Sequence, residues 1–183
     1  MIDKKILHQQ LFGTADYATY TILDGASIPS LLKMLWLHKP EHVCLYRGEL
    51  DAEMAQIAPY LVRLLPESPF TDDVLQAWGQ HWGIFLLTQA DLRTLRKHFR
   101  TFLMVHGPDG HPLYFRYYDP RVWRIYLPTC NHQEAATVFG PVIRYLMEDE
   151  APDAIAQFWL SQDQVESQRI ALSTQKTTDT VRG

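Results

Sequence analysis

Cysteine and clustered glycine are scarce in this chain, and positive charge is in the minority. Two cysteines among 183 residues, Cys44 and Cys130, are too few and too far apart for a disulfide framework, so reduced thiols are the expectation. The nine glycines are scattered. There is no Gly-rich phosphate loop, no Gly-x-Ser-x-Gly elbow and no His-Glu-x-x-His pair, which removes the usual nucleotide, serine-hydrolase and zinc-protease readings. Lys and Arg number 17 against 21 Asp and Glu, a formal charge of −4. That argues against nucleic acid as a non-specific partner, because displacing its counterions needs a basic surface. No apolar run approaches the ~20 residues that cross a bilayer, so no membrane partner is expected. The N-terminal segment Met1 to Gln10 is too polar for a secretory signal; a protein acting outside the cell is not expected to export itself by that route.

What is present suffices for one folded domain: 46% of residues are hydrophobic and 12% aromatic, enough for a real core at this length. Tyr20 to Gly25 reads as a strand ending in a turn. Ser30 to His38 reads as a helix stopped by Pro40. The apolar run His42–Tyr46 lacks alternation, as a strand covered on both faces does, and Tyr60–Leu65 and the apolar Ile84–Leu87 read as further strands. A short helix over Glu49–Ala58 lies between the first two. Thr71 is read as the cap of a helix placing Val74, Leu75, Trp78 and Trp82 on one face until Gly83. Thr88 and Asp91 are read as a capping box, followed by a helix with Leu92, Leu95, Phe99 and Phe102 inward. Its cations Arg93, Arg96, Lys97 and Arg100 point mainly outward. The turn Gly107-Pro-Asp-Gly110 between Leu103–His106 and Leu113–Tyr118 signals a hairpin. Asp119-Pro120 starts a helix, Asn131 and Glu134 cap another, and Gly140-Pro141 ends it. Ile143–Met147 forms a strand. Pro152–Leu160 reads as a short helix carrying Ile155, Phe158 and Trp159, and the polar chain from Ser161 as a weakly ordered tail. The expected fold is α/β (α+β): a mixed β-sheet flanked by helices. Residues 1–150 make the α/β domain, and 151–183 a short C-terminal helix and polar tail.

Candidate chemistry is sparse. His106 and His111 flank the hairpin turn, with Asp109 as the only local third ligand, so a solvated loop is preferred over a metal site. Cys130 lies just before a helix N-terminus, a position that lowers a thiol's pKa, yet no histidine spacing supports a nucleophile. Asp24, Arg116, Asp119 and Arg121 are the sharpest polar set. Arg116 sits among aromatics and needs a carboxylate partner, which Asp24 or Asp119 could supply. Such a set is either a structural ion-pair network or the acid–base site of a small hydrolase. Arg93, Lys97 and Arg100 form a basic strip, either a solvated helix face or an anion-binding patch. The five tryptophans are core residues by position, with Trp123 and Trp159 the ones placed to reach a partner.

Several segments in order add up to a resemblance. They are Tyr20-x-x-x-Asp24-Gly25-Ala26, Cys44-Leu-Tyr-Arg-Gly48, Ala58-Pro-Tyr-Leu-Val62, Trp82-Gly83 and Leu95-x-x-His98-Phe-Arg100. They close with Pro108-Asp-Gly110, Phe115-Arg-Tyr-Tyr-Asp-Pro-Arg121 and Phe139-Gly-Pro141. Together, over about Tyr17 to Glu150, the chain resembles the DUF4123 family, adaptor chaperones of type VI secretion effectors. The resemblance implies a non-enzymatic protein of the bacterial cytoplasm, without metal or cofactor. It would bind a particular toxic effector and help load it onto the VgrG spike. Such adaptors often carry a second, helical lobe, and this chain has too little sequence after Glu150 to build one. The partner-binding residues expected are Arg116, Arg121, Trp123 and Trp159, with Asp24, Arg116 and Asp119 as the structural polar network. The competing readings are a hydrolase-like enzyme using Asp24, Arg116 and Asp119, and an immunity-type protein that binds and blocks a toxin.

Overall fold

The computed structural model describes residues 2–106 and 109–173. The chain runs through α1 (Lys4–Phe12), β1 (Ala18–Asp24), α2 (Leu31–His38), β2 (His42–Cys44), α3 (Ala52–Ile57) and β3 (Pro59–Leu64). It continues with α4 (Pro69–Gln76), β4 (Gly83–Thr88), α5 (Leu92–Phe99), β5 (Met104–His106) and β6 (Pro112–Tyr114). Last come α6 (Pro120–Tyr126), α7 (His132–Phe139), β7 (Val142–Glu148), β8 (Ala154–Ser161) and β9 (Gln164–Ala171). Seven strands form one sheet in the order β2-β3-β1-β4-β7-β8-β9, and β5 with β6 makes a separate two-stranded ribbon.

The register explains the apolar runs. Tyr20, Leu86, Tyr145 and Phe158 lie side by side across β1, β4, β7 and β8 on one face. Thr21, Phe85, Leu146 and Gln157 do so on the other. Helices α5, α6 and α7 cover the first face through an aromatic cluster: Tyr145 meets Phe139 at 5.1 Å and Trp123 at 5.5 Å between ring centroids. On the second face the Thr19 hydroxyl donates to the Leu11 carbonyl of α1, and Trp78, just past α4, stacks on Phe85 at 5.9 Å. The central strands are therefore buried on both sides, which is why β1 and β4 show no polar alternation.

The α+β class read from the sequence holds, but where a mixed sheet was expected every pairing is antiparallel. Alternating helices and strands suggest parallel crossovers, yet a helix can join antiparallel neighbours equally well. Two expected caps move. Helix α4 begins at Pro69 after Ser68, leaving Thr71 buried inside it. It ends at Gln76, so Trp78 and Trp82 lie beyond it and Gly83 opens β4. Asp91 alone caps α5, accepting from the Thr94 amide at 2.8 Å. Thr88 instead accepts from Ala90 N and donates to the Pro141 carbonyl.

The largest correction concerns the C-terminal part. The expected helix over Pro152–Leu160 is strand β8, and much of the expected tail is strand β9. Ile155, Phe158 and Trp159 fit a helical spacing, but Ala154–Phe158 are buried against β7 on one edge and β9 on the other. The two-residue turn uses Gln162 and Asp163 in the left-handed region (φ 48° and 65°) without the glycine that normally signals it. Leu172 is then fully buried, its carbonyl accepting from Asp3 N beside the start of α1. The sheet thus runs on past residue 150 without a domain break. Residues 107 and 108 of the hairpin turn, and the tail from residue 174, lie outside the described residues.

Candidate functional site

The polar set read from the sequence comes together where β1 ends and α6 begins. Asp24 is 1% exposed. Its Oδ1 accepts from Ala26 N at 3.1 Å, and its Oδ2 accepts from Ser27 Oγ at 2.8 Å and from the Arg116 guanidinium. Arg116 is not on a strand; it lies in the loop between β6 and α6, its carbonyl accepting from Asp119 N at 3.0 Å. Asp119 caps α6, accepting from Arg121 N at 3.0 Å, and holds the Arg121 guanidinium in a fork at 2.9 and 2.7 Å. Arg116 stands 4.0 Å from Asp119 and so links both carboxylates. Burial alone would raise the Asp119 pKa. The hydrogen bonds and charge of Arg121, with Arg116 behind them, outweigh it and hold the carboxyl below its ordinary range. A general acid at neutral pH needs the opposite shift.

The aromatic residues divide unexpectedly. Trp123 is 0% exposed, sandwiched between Phe102 (6.1 Å) and Tyr126 (5.5 Å) in near-parallel stacks. It cannot reach a partner in the folded state. A helix beginning with Pro120 and rooted on buried Tyr117 and Tyr118 turns that side chain inward. Trp159 is partly exposed on β8, opposite Arg144 and Glu166 on the neighbouring strands. Trp36, taken by position as core, is 75% exposed on α2 beside exposed Leu37. Met104, Val105, Leu113 and Tyr114 are exposed on the β5–β6 ribbon, and Val122 and Ile125 on α6.

Both thiols move away from reactivity. Burial pushes Cys44 and Cys130 up, and the latter donates to the Tyr126 carbonyl at 3.7 Å; the expected lowering at the α7 N-terminus does not prevail. Among the described residues no three His, Cys, Asp or Glu side chains are grouped to hold a metal ion.

The basic strip has a different geometry from the one expected. Arg100 is not a solvated cation. It donates through Nε to the Leu45 carbonyl at 2.9 Å and through Nη2 to those of Cys44 (3.0 Å) and Tyr46 (2.5 Å), fastening the end of β2. Arg93, Arg96 and Lys97 of α5 stand beside it, and Arg47 from the loop after β2 completes a depression of about 450 Å³. The helical spacing signalled the α5 residues. Arg47, in a loop far away in sequence, carried no signal.

The family described as Domain of unknown function (DUF4123) matches residues 19–137, well over half of the chain. The chain belongs to the DUF4123 family. The DUF4123 match opens on β1 and closes within α7, so it contains Asp24, Arg100, Arg116, Asp119 and the basic depression. The three strands β7, β8 and β9 follow it yet complete the same sheet. No curated protein and no solved structure matches the chain. Among the described residues no helix is long and apolar enough to cross a membrane.

Proposed function

We propose that this DUF4123 protein is an adaptor that works by binding. It holds a specific type VI secretion effector in the bacterial cytoplasm and helps load it onto the VgrG spike, without turnover. The family membership supports this reading through the role the resemblance implies. The observation that carries it is how the family-pattern residues are used. Asp24, Arg116, Asp119 and Arg121 bond to one another and to backbone at the junction of β1 and α6, as scaffold residues do. Exposed apolar side chains meanwhile stand on α2, α6 and the β5–β6 ribbon, as a cargo-binding surface requires. Arg116 and Arg121 remain about half exposed and can serve that surface, and Trp159 can join it from β8. The reading is tested by affinity purification of the tagged protein from its native host with the secretion genes active. Recovery of one large effector, alone or with a spike protein, is the expected outcome. A folded protein that recovers neither would overturn it and direct effort to substrate screening.

A further inference from the structure

Among the described residues four cations of the α5 depression have no ion-pair partner. Among the described residues Arg47, Arg93, Arg96 and Lys97 make no ion pair and no hydrogen bond through their side chains, while Arg100 adds a fifth charge already fixed on backbone carbonyls. Like charges gathered around one concave surface make it locally positive in a chain whose net charge is −4, and a bound anion would relieve their mutual repulsion. Two further hollows flank the depression and share lining residues with it, together outlining a groove. Through Arg93 and Arg96 the depression joins a hollow of about 330 Å³ bounded by Glu41, His42, Asp91 and Leu92. Through Arg47 and Arg100 it joins one of about 360 Å³ lined by Tyr46, Leu103, Met104 and Tyr114. The last sets Leu103, Met104 and the Tyr46 and Tyr114 rings, 4.9 Å apart, beside Arg47, Arg100 and Thr101.

We propose that this groove binds an acidic peptide segment of the partner protein, with Asp or Glu side chains on Arg47, Arg93, Arg96 and Lys97 and an adjoining apolar or aromatic residue against Tyr114 and Met104. The proposal rests on the adaptor reading for the partner's identity and names the surface and chemistry by which it is held. Three features select a short acidic segment over a nucleic acid. All five cations line a single central depression, Glu41 and Asp91 close one end against a continuing polyanion, and the other end adds Leu103, Met104 and two tyrosine rings to its cations. Recognition runs through side-chain charge, because Arg100 already occupies the carbonyls at the end of β2 that a paired strand would use.

The test is fluorescence anisotropy of the full chain with a labelled peptide of alternating Glu and Leu around a central Tyr. Controls are the same peptide with Lys for Glu, a labelled oligothymidylate and inorganic phosphate as competitor. The acidic peptide is expected to bind, the Lys peptide not. Affinity should fall as salt rises from about 0.1 M to about 1 M, where the screening length shrinks from about 10 Å to about 3 Å. The double variant R93E/K97E reverses two exposed helix charges that make no side-chain hydrogen bond or ion pair among the described residues and should fold normally, checked by circular dichroism. It is expected to weaken the peptide by roughly tenfold or more. Equal binding by that variant, tighter binding of the oligothymidylate, full competition by millimolar phosphate, or no peptide binding would each overturn the proposal. Purification of R93E/K97E from the native host separates the two readings. An effector retained by the variant sinks the groove and leaves the adaptor. Peptide binding by a protein that recovers no effector does the reverse.

Discussion

Replacing Arg100 with alanine tests whether a charged side chain in the basic groove is there for the fold. The guanidinium supplies three hydrogen bonds to consecutive carbonyls, Cys44, Leu45 and Tyr46, where the short edge strand β2 runs out. A hydrogen bond from a charged donor contributes about 1.5–3 kcal/mol when buried. Arg100 is only partly buried, so water can replace some of what is lost, and about 2–3 kcal/mol for the set is the working figure. Burial, and then repulsion from Arg96 and Arg47, lowers the Arg100 pKa, and relief of that repulsion stands against the loss. Arg47 and Arg96 are exposed and screened by water and salt, and the relief is taken as about 1 kcal/mol. The hydrogen bonds win, and Arg100→Ala is expected to destabilise by about 1–2 kcal/mol, a fall in Tm of about 2–8 °C for a domain of this size. Arg100→Lys keeps the charge but loses the planar fork, and should recover less than half of the loss. Urea denaturation followed by circular dichroism measures both. Hydrogen exchange locates the damage, because the Leu45 amide, bonded to Pro59 O at 2.9 Å, should lose protection first. Both variants within about 0.5 kcal/mol of the native protein would refute the reasoning and return Arg100 to the solvated face.

Trp123→Ala should cost about 3–5 kcal/mol by opening a cavity in the aromatic cluster, while Trp123→Phe should recover most of it, since the buried indole N–H has no acceptor among the described residues. Trp36→Ala should change denaturation by under about 0.5 kcal/mol, its ring being solvated. Burial lowers the His98 pKa from the ordinary 6.5, the bond to Val138 O only partly opposing it. The unfolded chain therefore binds that proton more readily, so stability is full above pH 6.5 and falls as pH drops through it and below. In His98→Gln the loss over that window should flatten, as urea midpoints at successive pH values would reveal. Asp163→Gly should raise Tm slightly, by about 0.5 kcal/mol of stability, because the residue holds φ 65° in the β8–β9 turn.

The elements that could be read from sequence are those where one signal dominates. The Asp119-Pro120 start of α6 and the Asn131–Glu134 capping box of α7 are local hydrogen-bond patterns and appear as expected. Strands β3 and β4 lie where their apolar runs placed them, whereas β2, read as covered on both faces, is a half-exposed edge strand ending at Cys44. The β8–β9 hairpin was hidden because Ile155, Phe158 and Trp159 satisfy a helical period by accident, and because β9 borrows its order from the strand beside it. The pairing of Arg116 with Asp24 was foreseeable, since a cation among aromatics calls for a carboxylate. That Arg121 rather than Arg116 grips Asp119 in the fork was not, because it depends on the first turn of α6 bending the side chain back on its own cap. Exposure of Trp36 and burial of Trp123 depend on which side of a helix meets the sheet, and for short helices spacing alone leaves that open.

The clasp between Asp3 N and Leu172 O has a consequence for modularity. It ties the beginning of α1 to the end of β9, so a chain shortened to the span of the family match would lose both the tie and three strands. The edge of β4 would then stand bare, with Phe85 and Leu86 stripped of the neighbours that cover them. The unit that folds is longer than the unit that is recognised. The end of the molecule beyond the family match is thus not an attachment hung on a finished scaffold but a wall of the same building, and a substitution in β7, β8 or β9 acts on the stability of the whole.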